Sequence, residues 1–321
     1  MHDAVVIGAG PNGLVAANML ASAGWDVLVV EAQPGAGGAV GTAELTGEPG
    51  FRHDWCSAFY PFAVASPAMQ AMELERYGVR WRRSPLVVAH PTLDGTCVSL
   101  SQDIDETAAS FDAFARGDGD AWREVYARWQ KIRDPLIDAL FGSPFPPLRA
   151  GVRLAAALNR ELPRFARFGL LAVRRFAEEE FHGDGATRML AGNALHADLT
   201  PEMPAGAVFG WLLCCVGQEQ GWPVPEGGAG EIAAALVRRL EARGGKLTTN
   251  ARVVEVLVRR GRAVGVRTED GREIGARRAV IATVPAPRLL LEMVPREALP
   301  GTVLRDLHRR FQHDSATVKV D

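Results

Sequence analysis

Three glycines near the start of the chain have the spacing of a phosphate-binding turn. Gly8, Gly10 and Gly13 fit the pattern G-x-G-x-x-G and follow the apolar, β-branched run 5–7. This run predicts a strand buried on both faces of a parallel sheet. The first glycine permits a tight bend, the second lets the backbone approach a pyrophosphate, and the third lets the helix pack closely on the strand. The chemistry expected here is the binding of a dinucleotide.

A carboxylate follows the second predicted strand. Residues 12–23 carry small and apolar side chains at helical spacing, Gly24 ends this predicted helix, and 28–30 form an apolar strand that ends at Glu31. A carboxylate about 20 residues beyond the glycines suits the hydroxyl pair of a ribose and repels a 2′-phosphate. Strand, glycine turn, helix, strand and acid in this order favour a dinucleotide-binding unit over a βαβ unit without a ligand.

A second glycine-rich segment, 33–42, follows the predicted acid directly. Its Gly37 and Gly38 are able to bring backbone N–H groups against a phosphate. A nicotinamide dehydrogenase usually continues into another helix and strand at this point. This loop, followed by Thr42, instead resembles the second flavin-binding motif of the amine oxidase and phytoene desaturase superfamily. A flexible surface turn is the alternative interpretation of the same residues.

The next candidate residues are His53 and Asp54. Alternation over 50–57 predicts a short strand that includes Phe51 and His53, followed by a turn of small residues. A histidine beside an aspartate suggests an acid–base pair. Because neighbouring side chains of a strand point to opposite faces, the two residues are not expected to act together.

The segments between 67 and 216 predict a second, substrate-side domain. Asp103 or Asp105 is expected to cap a helix that runs to 115, and the apolar spacing of the following helix predicts one buried face. The proline-rich stretch 143–147 predicts a rigid linker. The other expected elements are a helix at 67–77, strands at 80–90 and 97–100, and helices at 187–196 and 205–216.

Arginines and apolar residues share the segment 149–181 at helical spacing. Pro163 is predicted to divide it into two helices, because proline inside a helix removes a hydrogen bond and clashes with the preceding turn. A basic amphipathic helix is able to lie on an anionic surface, which predicts peripheral membrane contact through 149–181. A solvated helix that covers a substrate pocket has the same pattern, so both interpretations stay open.

The last third of the chain returns to the first predicted domain. The expected elements are a glycine turn over 221–230, a helix at 231–243, a meander of short strands at 246–247, 252–258, 263–268 and 273–274, and an apolar strand at 279–283. The predicted FAD-binding domain is 1–65 with 221–296, and the predicted substrate domain is 66–220 with 297–321.

Composition and charge exclude several classes of protein. The 321 residues, 47% hydrophobic and 23% charged, are typical of a globular protein with about two domains. The net charge of −2 does not indicate a protein that binds nucleic acid, because such proteins usually carry an excess of positive charge. Four cysteines without a C-x-x-C pair or a metal-ligand spacing predict a reducing compartment and no metal site. With no signal peptide and no membrane-length apolar run, a cytoplasmic protein of unspecified oligomeric state is expected.

Taken together, these segments resemble the phytoene desaturase-like FAD-dependent oxidoreductases. The nearest resemblance is to the subgroup called pyridine nucleotide-disulphide oxidoreductase domain-containing protein 2. The resemblance is carried by residues 8–14, Glu31 with 37–38, 50–54, 221–230 and 279–285. It implies an α/β fold, in which an FAD-binding Rossmann-like parallel sheet with a β-meander is joined by a partial α+β substrate domain with a helical cover.

The resemblance also implies roles for residues of this sequence. Pro11 lacks an N–H, so Asn12 would donate in its place to the pyrophosphate of FAD. Glu31 would bind the adenosine ribose, and the backbone of Val253 would meet the adenine. The other implied cofactor residues are Gly8, Gly10, Gly13, Ala32, Gly37, Gly38, Ala39 and Ala282. The implied flavin and substrate vicinity consists of Asp54, Ser57, Trp222, Pro223, Gly227 and Gly228.

Family members are considerably longer and have a further glycine-rich flavin contact near their C-terminus. Residues 317–321 resemble the start of a substrate-domain strand, which predicts a truncated product whose FAD site lacks part of its wall. The implied function is removal of a hydride equivalent from a small apolar substrate, such as a lipid or isoprenoid. The alternatives are a flavin amine oxidase and a truncated, non-catalytic FAD-binding protein. No catalytic residue is assigned.

Overall fold

The computed structural model of the chain describes residues 1–141 and 147–312. Its strands form where apolar and β-branched residues run together or alternate, because such side chains fit a pleated surface. In chain order they are β1 (His2–Ile7), β2 (Val27–Val30), β3 (Thr42–Ala43), β4 (His53–Asp54), β5 (Trp81–Arg82), β6 (Leu86–Pro91), β7 (Cys97–Ser101), β8 (Val224–Pro225), β9 (Lys246–Thr248), β10 (Val253–Arg259), β11 (Arg262–Thr268) and β12 (Glu273–Ala282).

Helices occupy most of the middle of the chain. In chain order they are α1 (Pro11–Ser22), α2 (Pro61–Ala65), α3 (Pro67–Gln70), α4 (Ile104–Asp112), α5 (Asp118–Phe141), α6 (Leu148–Leu158), α7 (Leu162–Phe168), α8 (Val173–Glu180), α9 (Asp184–Leu195), α10 (Gly206–Gln220), α11 (Gly230–Ala242) and α12 (Gly301–Arg309). Single turns of 3₁₀ helix lie at Leu74–Tyr77, Asn159–Glu161 and Arg296–Ala298, and a π-helical turn lies at Arg288–Met293.

Six strands form one sheet in the order β10-β11-β12-β1-β2-β9. Strands β12, β1, β2 and β9 are parallel, with Val5 opposite Leu28 on one side and Val280 on the other. Strands β10, β11 and β12 are antiparallel neighbours. The predicted parallel sheet and meander are therefore both present, and β9 belongs to the parallel part rather than to the meander.

The last strand of the sheet differs from the prediction. The sequence predicts separate strands at 273–274 and 279–283, but the structure has one continuous strand, β12. Its first half pairs with β11 and its second half with β1. Arg277 and Arg278 interrupt the apolar pattern because both side chains are exposed on this strand. One strand thus leads from the meander directly into the parallel sheet.

Two shorter predictions are also corrected. The helix predicted at 67–77 is broken, because Glu73 adopts a left-handed φ of 49° between α3 and the 3₁₀ turn Leu74–Tyr77. The strand predicted to include Phe51 contains only His53 and Asp54, which pair with β3.

The segment 149–181 folds into three helices rather than two. The break before α7 is at Asn159, whose φ is 47°, and Pro163 lies in the first turn of α7, where its missing N–H costs no helical hydrogen bond. Phe165 and Phe168 pack against the aromatic core formed by α4, α5 and α10. The helices therefore cover that core.

The chain forms two compact units. The first consists of Met1–Ala58, Ala68–Trp81 and the described part of 224–321, and the second of Phe59–Pro67 and Arg82–Pro223. The first unit thus includes 68–81, which the predicted substrate domain contained. The second unit holds the β6–β7 hairpin and helices α4–α10 around buried Phe111, Trp122 and Trp129. The predicted linker residues 143–146 and the predicted strand start 317–321 lie outside the described residues.

Candidate cofactor site

The turn between β1 and α1 is too tight for any side chain at its third glycine. A Cβ atom on Gly13 would lie 2.1 Å from the carbonyl oxygen of Gly8. The N–H of Gly8 donates to Val30 O at 2.9 Å, which ties the turn to β2. The hydroxyl of Thr283 donates to Ile7 O and Gly8 O at 3.0 and 3.3 Å. Close approach of backbone to backbone therefore explains the glycine pattern.

The N-terminus of α1 is left open. Its N-cap is Gly10, so no side chain supplies a cap hydrogen bond, and the described first turn contains no acidic residue. Pro11 has no N–H to offer, but Asn12 and Gly13 retain theirs. Free N–H groups and the positive end of the helix dipole together make an anion site. This arrangement fits the pyrophosphate of a dinucleotide.

The second glycine segment lies against the first, as its predicted phosphate contact requires. The N–H of Gly37 donates to Ala9 O at 2.9 Å. A Cβ atom on Gly38 would lie 3.1 Å from the Cα of Gly10, so the two loops approach backbone to backbone. Gly38 and Ala39 are both exposed. The two loops therefore form one cradle that side chains at these positions would fill.

Glu31 ends β2 beside this cradle. One of its carboxylate oxygens accepts the N–H of Ala9 at 2.7 Å, and the other accepts the N–H of Gln33 at 2.8 Å. Each oxygen has a second lone pair, so the carboxylate is still able to accept from ribose hydroxyls. The neighbouring Ala32 is half-buried. The ribose contact of Glu31 and the cofactor contact of Ala32 stay predictions.

Trp55 is a part of the cradle that sequence reasoning missed. Its indole N–H donates to Gly38 O at 2.9 Å. A Cβ atom on Gly41 would lie 1.9 Å from Cζ2 of the indole, so the ring rests on that glycine. The sequence signal that could have indicated this role is a tryptophan that follows a glycine-rich loop within a few residues. The ring holds the exposed end of the second glycine loop.

Asp54 and Thr42 hold the start of a different helix, α11. The Thr42 hydroxyl donates to Asp54 Oδ1 at 2.5 Å, and the same oxygen accepts the N–H of Ala229 at 2.8 Å. Thr42 Oγ1 also accepts the N–H of Gly230 at 2.9 Å. A Cβ atom on Gly228 would lie 2.4 Å from Thr42 Oγ1. We name these residues, Thr42, Asp54 and 228–230, the α11 joint.

Other predicted residues of the first unit surround these features. Val253 is buried at the start of β10 opposite Thr268, and Ala282 ends β12 opposite Ile7, directly before Thr283. Ser57 is exposed just after β4, and Gly227 lies in the turn before α11. Their predicted contacts with adenine and flavin stay predictions.

Trp222 and Pro223 belong to the second unit, whereas Gly227 and Gly228 belong to the first. The Trp222 ring packs against Phe59, with ring centroids 5.7 Å apart, and Pro223 O accepts the N–H of Tyr60 at 3.0 Å. The structure therefore brings these two residues together with 59–60. A position beside the flavin stays a prediction for both.

Two family models match the chain. A NAD(P)-binding Rossmann-like domain matches residues 6–73, and a flavin-containing amine oxidoreductase matches 99–319. The first of these, together with the sheet described above, confirms the predicted α/β fold with a Rossmann-like domain. Among solved structures, an oxidoreductase from Methanosarcina mazei has the same fold, with a TM-score of 0.59 at 20% identity over 94% of this chain and 62% of that one.

Curated relatives agree with the resemblance seen in the sequence. Pyridine nucleotide-disulfide oxidoreductase domain-containing protein 2 from Rattus norvegicus is 28% identical over 95% of this chain and 57% of its own length. A hydroxyneurosporene desaturase from Cereibacter sphaeroides is 28% identical over 81% of this chain and 51% of its own length. The predicted likeness to phytoene desaturase-like proteins is confirmed. The chain spans about half the length of these curated relatives.

Proposed function

The chain belongs to the flavin-containing amine oxidoreductase family, and on that premise we propose that it is an FAD-dependent oxidoreductase acting on an apolar substrate. Membership of a flavin-containing family confirms FAD as the predicted cofactor. When bound, FAD supplies an acceptor for a hydride equivalent, while the protein supplies binding, orientation and a dry environment. Removal of a hydride equivalent from a C–H bond is the reaction that we infer.

The observation that carries the proposal is the double glycine cradle at the open N-terminus of α1. Asn12 and Gly13 would donate their N–H groups to the pyrophosphate. Gly38 and Ala39 present exposed backbone on the opposite side of the same cradle. Glu31, at the end of β2, would accept from the ribose hydroxyls. These residues bind and orient the dinucleotide, and none of them is required to transfer a proton.

The desaturase name of one relative supports dehydrogenation of an apolar substrate, of the lipid or isoprenoid class. A second candidate is oxidation of an amine, which the description of the matching family favours. The two reactions share the cofactor and differ in the bond that is oxidised. An amine substrate would be oxidised at a C–N bond, with hydrogen peroxide as the product of oxygen reduction.

The test is reconstitution of the full chain with FAD. We expect a yellow protein whose flavin absorption bleaches when an isoprenoid hydrocarbon is added without oxygen, and no hydrogen peroxide from a panel of amines in air. Peroxide release from an amine would favour the amine oxidase. Bound FAD that no compound of either panel reduces would favour a non-catalytic FAD-binding protein. Failure to bind FAD would contradict all three proposals.

Peripheral membrane contact through 149–181 is a further proposal. Five arginines of this segment form ion pairs with carboxylates: Arg153, Arg164, Arg167, Arg174 and Arg175. Such pairing lowers the charge available to an anionic surface. Sedimentation with phosphatidylglycerol vesicles, compared with phosphatidylcholine vesicles, tests the contact. In the described residues, no helix is both long and apolar enough to cross a bilayer. The cytoplasmic location stays a prediction.

A further inference from the structure

A small cavity lies inside the second unit, apart from the glycine cradle. It has a volume of about 70 Å³, is partly open to solvent, and lies between α5, α6, α7, α8 and α10. Its floor is apolar and consists of Val125, Ile132, Leu158, Phe165, Phe168, Leu171, Phe176 and Trp211. Its rim is charged and consists of Arg128, Lys131, Glu161, Arg164, Arg167, Glu179 and Glu180. We name it the α7 cavity, because α7 contributes residues to both floor and rim.

The floor has no unused polar group among its described side chains. Val125, Ile132, Leu158, Phe176 and Trp211 are all less than 5% exposed. The only N–H on these side chains is that of the Trp211 indole, and it donates to Val125 O at 3.4 Å. A buried water needs two to four polar partners to be held stably. The described side chains of the floor do not offer these polar partners, so the floor is not suited to hold an ordered water.

Each carboxylate of the rim is paired with a cation of the rim. Glu180 accepts two hydrogen bonds from Arg128, at 2.9 and 2.8 Å, and a third from Arg164. Arg167 pairs with Glu179, and Lys131 pairs with Glu161. Burial alone would raise the pKa of Glu180, but the hydrogen bonds and charges of Arg128 and Arg164 outweigh it, so the pKa lies below its ordinary value. Every charged side chain described at the rim therefore has a partner within the rim.

We propose that the α7 cavity is a binding site for a small, uncharged hydrocarbon group. Apolar walls favour such a group by the hydrophobic effect, at about 25 cal/mol per Å² of surface removed from water. A cationic ligand would have to lose its hydration without gaining a free carboxylate at the rim, which is unfavourable. An engineered cavity of about 150 Å³ with apolar walls binds benzene and xenon. The α7 cavity is smaller and suits one xenon atom or a short branched hydrocarbon.

Helix α7 is the part of the wall that would yield to a ligand. It is seven residues long and contains no fully buried residue. It contacts α8 through the pairs of Arg164 with Glu180 and Arg167 with Glu179 and through the packing of Phe168 on Phe176. Both of its phenylalanines also contact Trp211 of α10. Because Arg164 and Arg167 are exposed, their ion pairs contribute little, and a short helix without a fully buried residue opens at low cost.

The first test compares two probes of the same shape on the full chain without FAD. Isobutane is uncharged, and trimethylammonium carries one positive charge. We expect isobutane to raise the midpoint of thermal unfolding and an equal concentration of trimethylammonium to leave it unchanged, because a ligand that binds only the folded state stabilises it. An equal shift with trimethylammonium would show cation binding by the aromatic floor and overturn the proposal.

A pair of matched variants locates the site. Leu171→Phe adds bulk to the wall of the cavity, whereas Leu199→Phe makes the same change at a half-buried leucine of the same unit that does not line it. The first variant should weaken isobutane binding by at least about tenfold and the second by less than about twofold. Equal binding by both variants would place isobutane elsewhere.

Xenon NMR on the unchanged chain decides the question even if Leu171→Phe fails to fold. A specific site gives a xenon shift that saturates with protein concentration, and trimethylammonium should not compete for it. A shift that only grows linearly would mean that the cavity does not hold xenon, and the proposal would be wrong. Because none of these measurements involves FAD, their outcome is independent of the proposed oxidoreductase function.

Discussion

The helices α1 and α11 of the first unit both begin at a glycine-rich turn, but the two turns have different partners. The N-terminus of α1 has no capping side chain and no acid in its described first turn. The N-terminus of α11 is capped by Asp54 and Thr42 and carries Glu231 in its first turn. Of these two helices, it is therefore α1 that presents free N–H groups to an anion.

A glycine-rich turn before a helix therefore has two physical uses. At α1 the glycines let backbone approach backbone and leave room for a phosphate. At α11, Gly228 is needed because Thr42 and Asp54 occupy the space of a side chain. Whether such a turn is open to an anion or is capped by side chains depends on the residues that pack against it. Those residues are far away in the chain.

The largest effect is expected from Gly13→Ala. The added methyl group would lie 2.1 Å from Gly8 O, a backbone atom that cannot move without opening the turn. We expect a loss of about 3 kcal/mol or more in the free energy of unfolding, measured in urea, together with loss of FAD binding. Gly35→Ala is the control, because no heavy atom lies within 4 Å of its added Cβ. Comparable losses in both variants would contradict the close approach.

Gly228→Ala should come next. Its φ of 98° is unfavourable for alanine, and its methyl group would also meet Thr42 Oγ1 and Asp54 Oδ1. Gly271→Ala has a similar φ of 84° but open space, so it measures the backbone cost alone. We expect losses of about 2 and about 1 kcal/mol in unfolding free energy, respectively. Equal losses would mean that the α11 joint is not tightly packed.

Asp54→Ala tests whether the α11 joint also positions the second glycine loop. Thr42, its hydrogen-bond partner, ends that loop. The matched control is Asp103→Ala in the second unit, because Asp103 caps α4 by accepting the N–H of Asp105 at 2.8 Å. Each variant should lose about 1 kcal/mol of unfolding free energy.

The two capping variants should separate in FAD affinity. We expect Asp54→Ala to raise the Kd of FAD by about tenfold and Asp103→Ala to leave it unchanged. Flavin fluorescence titration measures both. Unchanged FAD affinity in Asp54→Ala would mean that the α11 joint only caps α11 and does not position the second glycine loop.

The smallest change in stability is expected from Asn12→Asp, which places an acid in the first turn of α1. The exposed carboxylate should stabilise the FAD-free protein by about 0.5 kcal/mol through the helix dipole. The same charge should repel the pyrophosphate and raise the Kd of FAD by about tenfold. Stability and affinity therefore move in opposite directions.

Glu231→Gln at α11 is the mirror-image control. It removes a first-turn acid where no phosphate is expected, so it should lower stability by a few tenths of a kcal/mol, about 0.3, without changing FAD affinity. If Asn12→Asp left FAD affinity unchanged, the open N-terminus of α1 would not be the phosphate site.

Local sequence determined the elements whose causes are local. The apolar runs around Val5 and Leu28 form parallel strands, the glycine spacing at 8–13 forms the predicted turn, and Asp103, one of the two predicted caps, caps α4. The local sequence was misleading where exposed residues interrupted the apolar pattern of a strand, as Arg277 and Arg278 do within β12. It was also misleading at Pro163, because proline is tolerated in a first turn and the sequence does not show where that turn begins.

Which glycine turn is open and which is closed follows from contacts between distant segments of the chain. Asp54 and Thr42 are more than 170 residues from the helix that they cap, and Trp55 reaches back across 17 residues to Gly38. Backbone propensity and periodicity act over a few residues, so the local sequence was enough to predict the βαβ unit and its glycines. The partners of each turn depend on the packing of distant segments. That packing leaves the N-terminus of α1 free for an anion and seals that of α11.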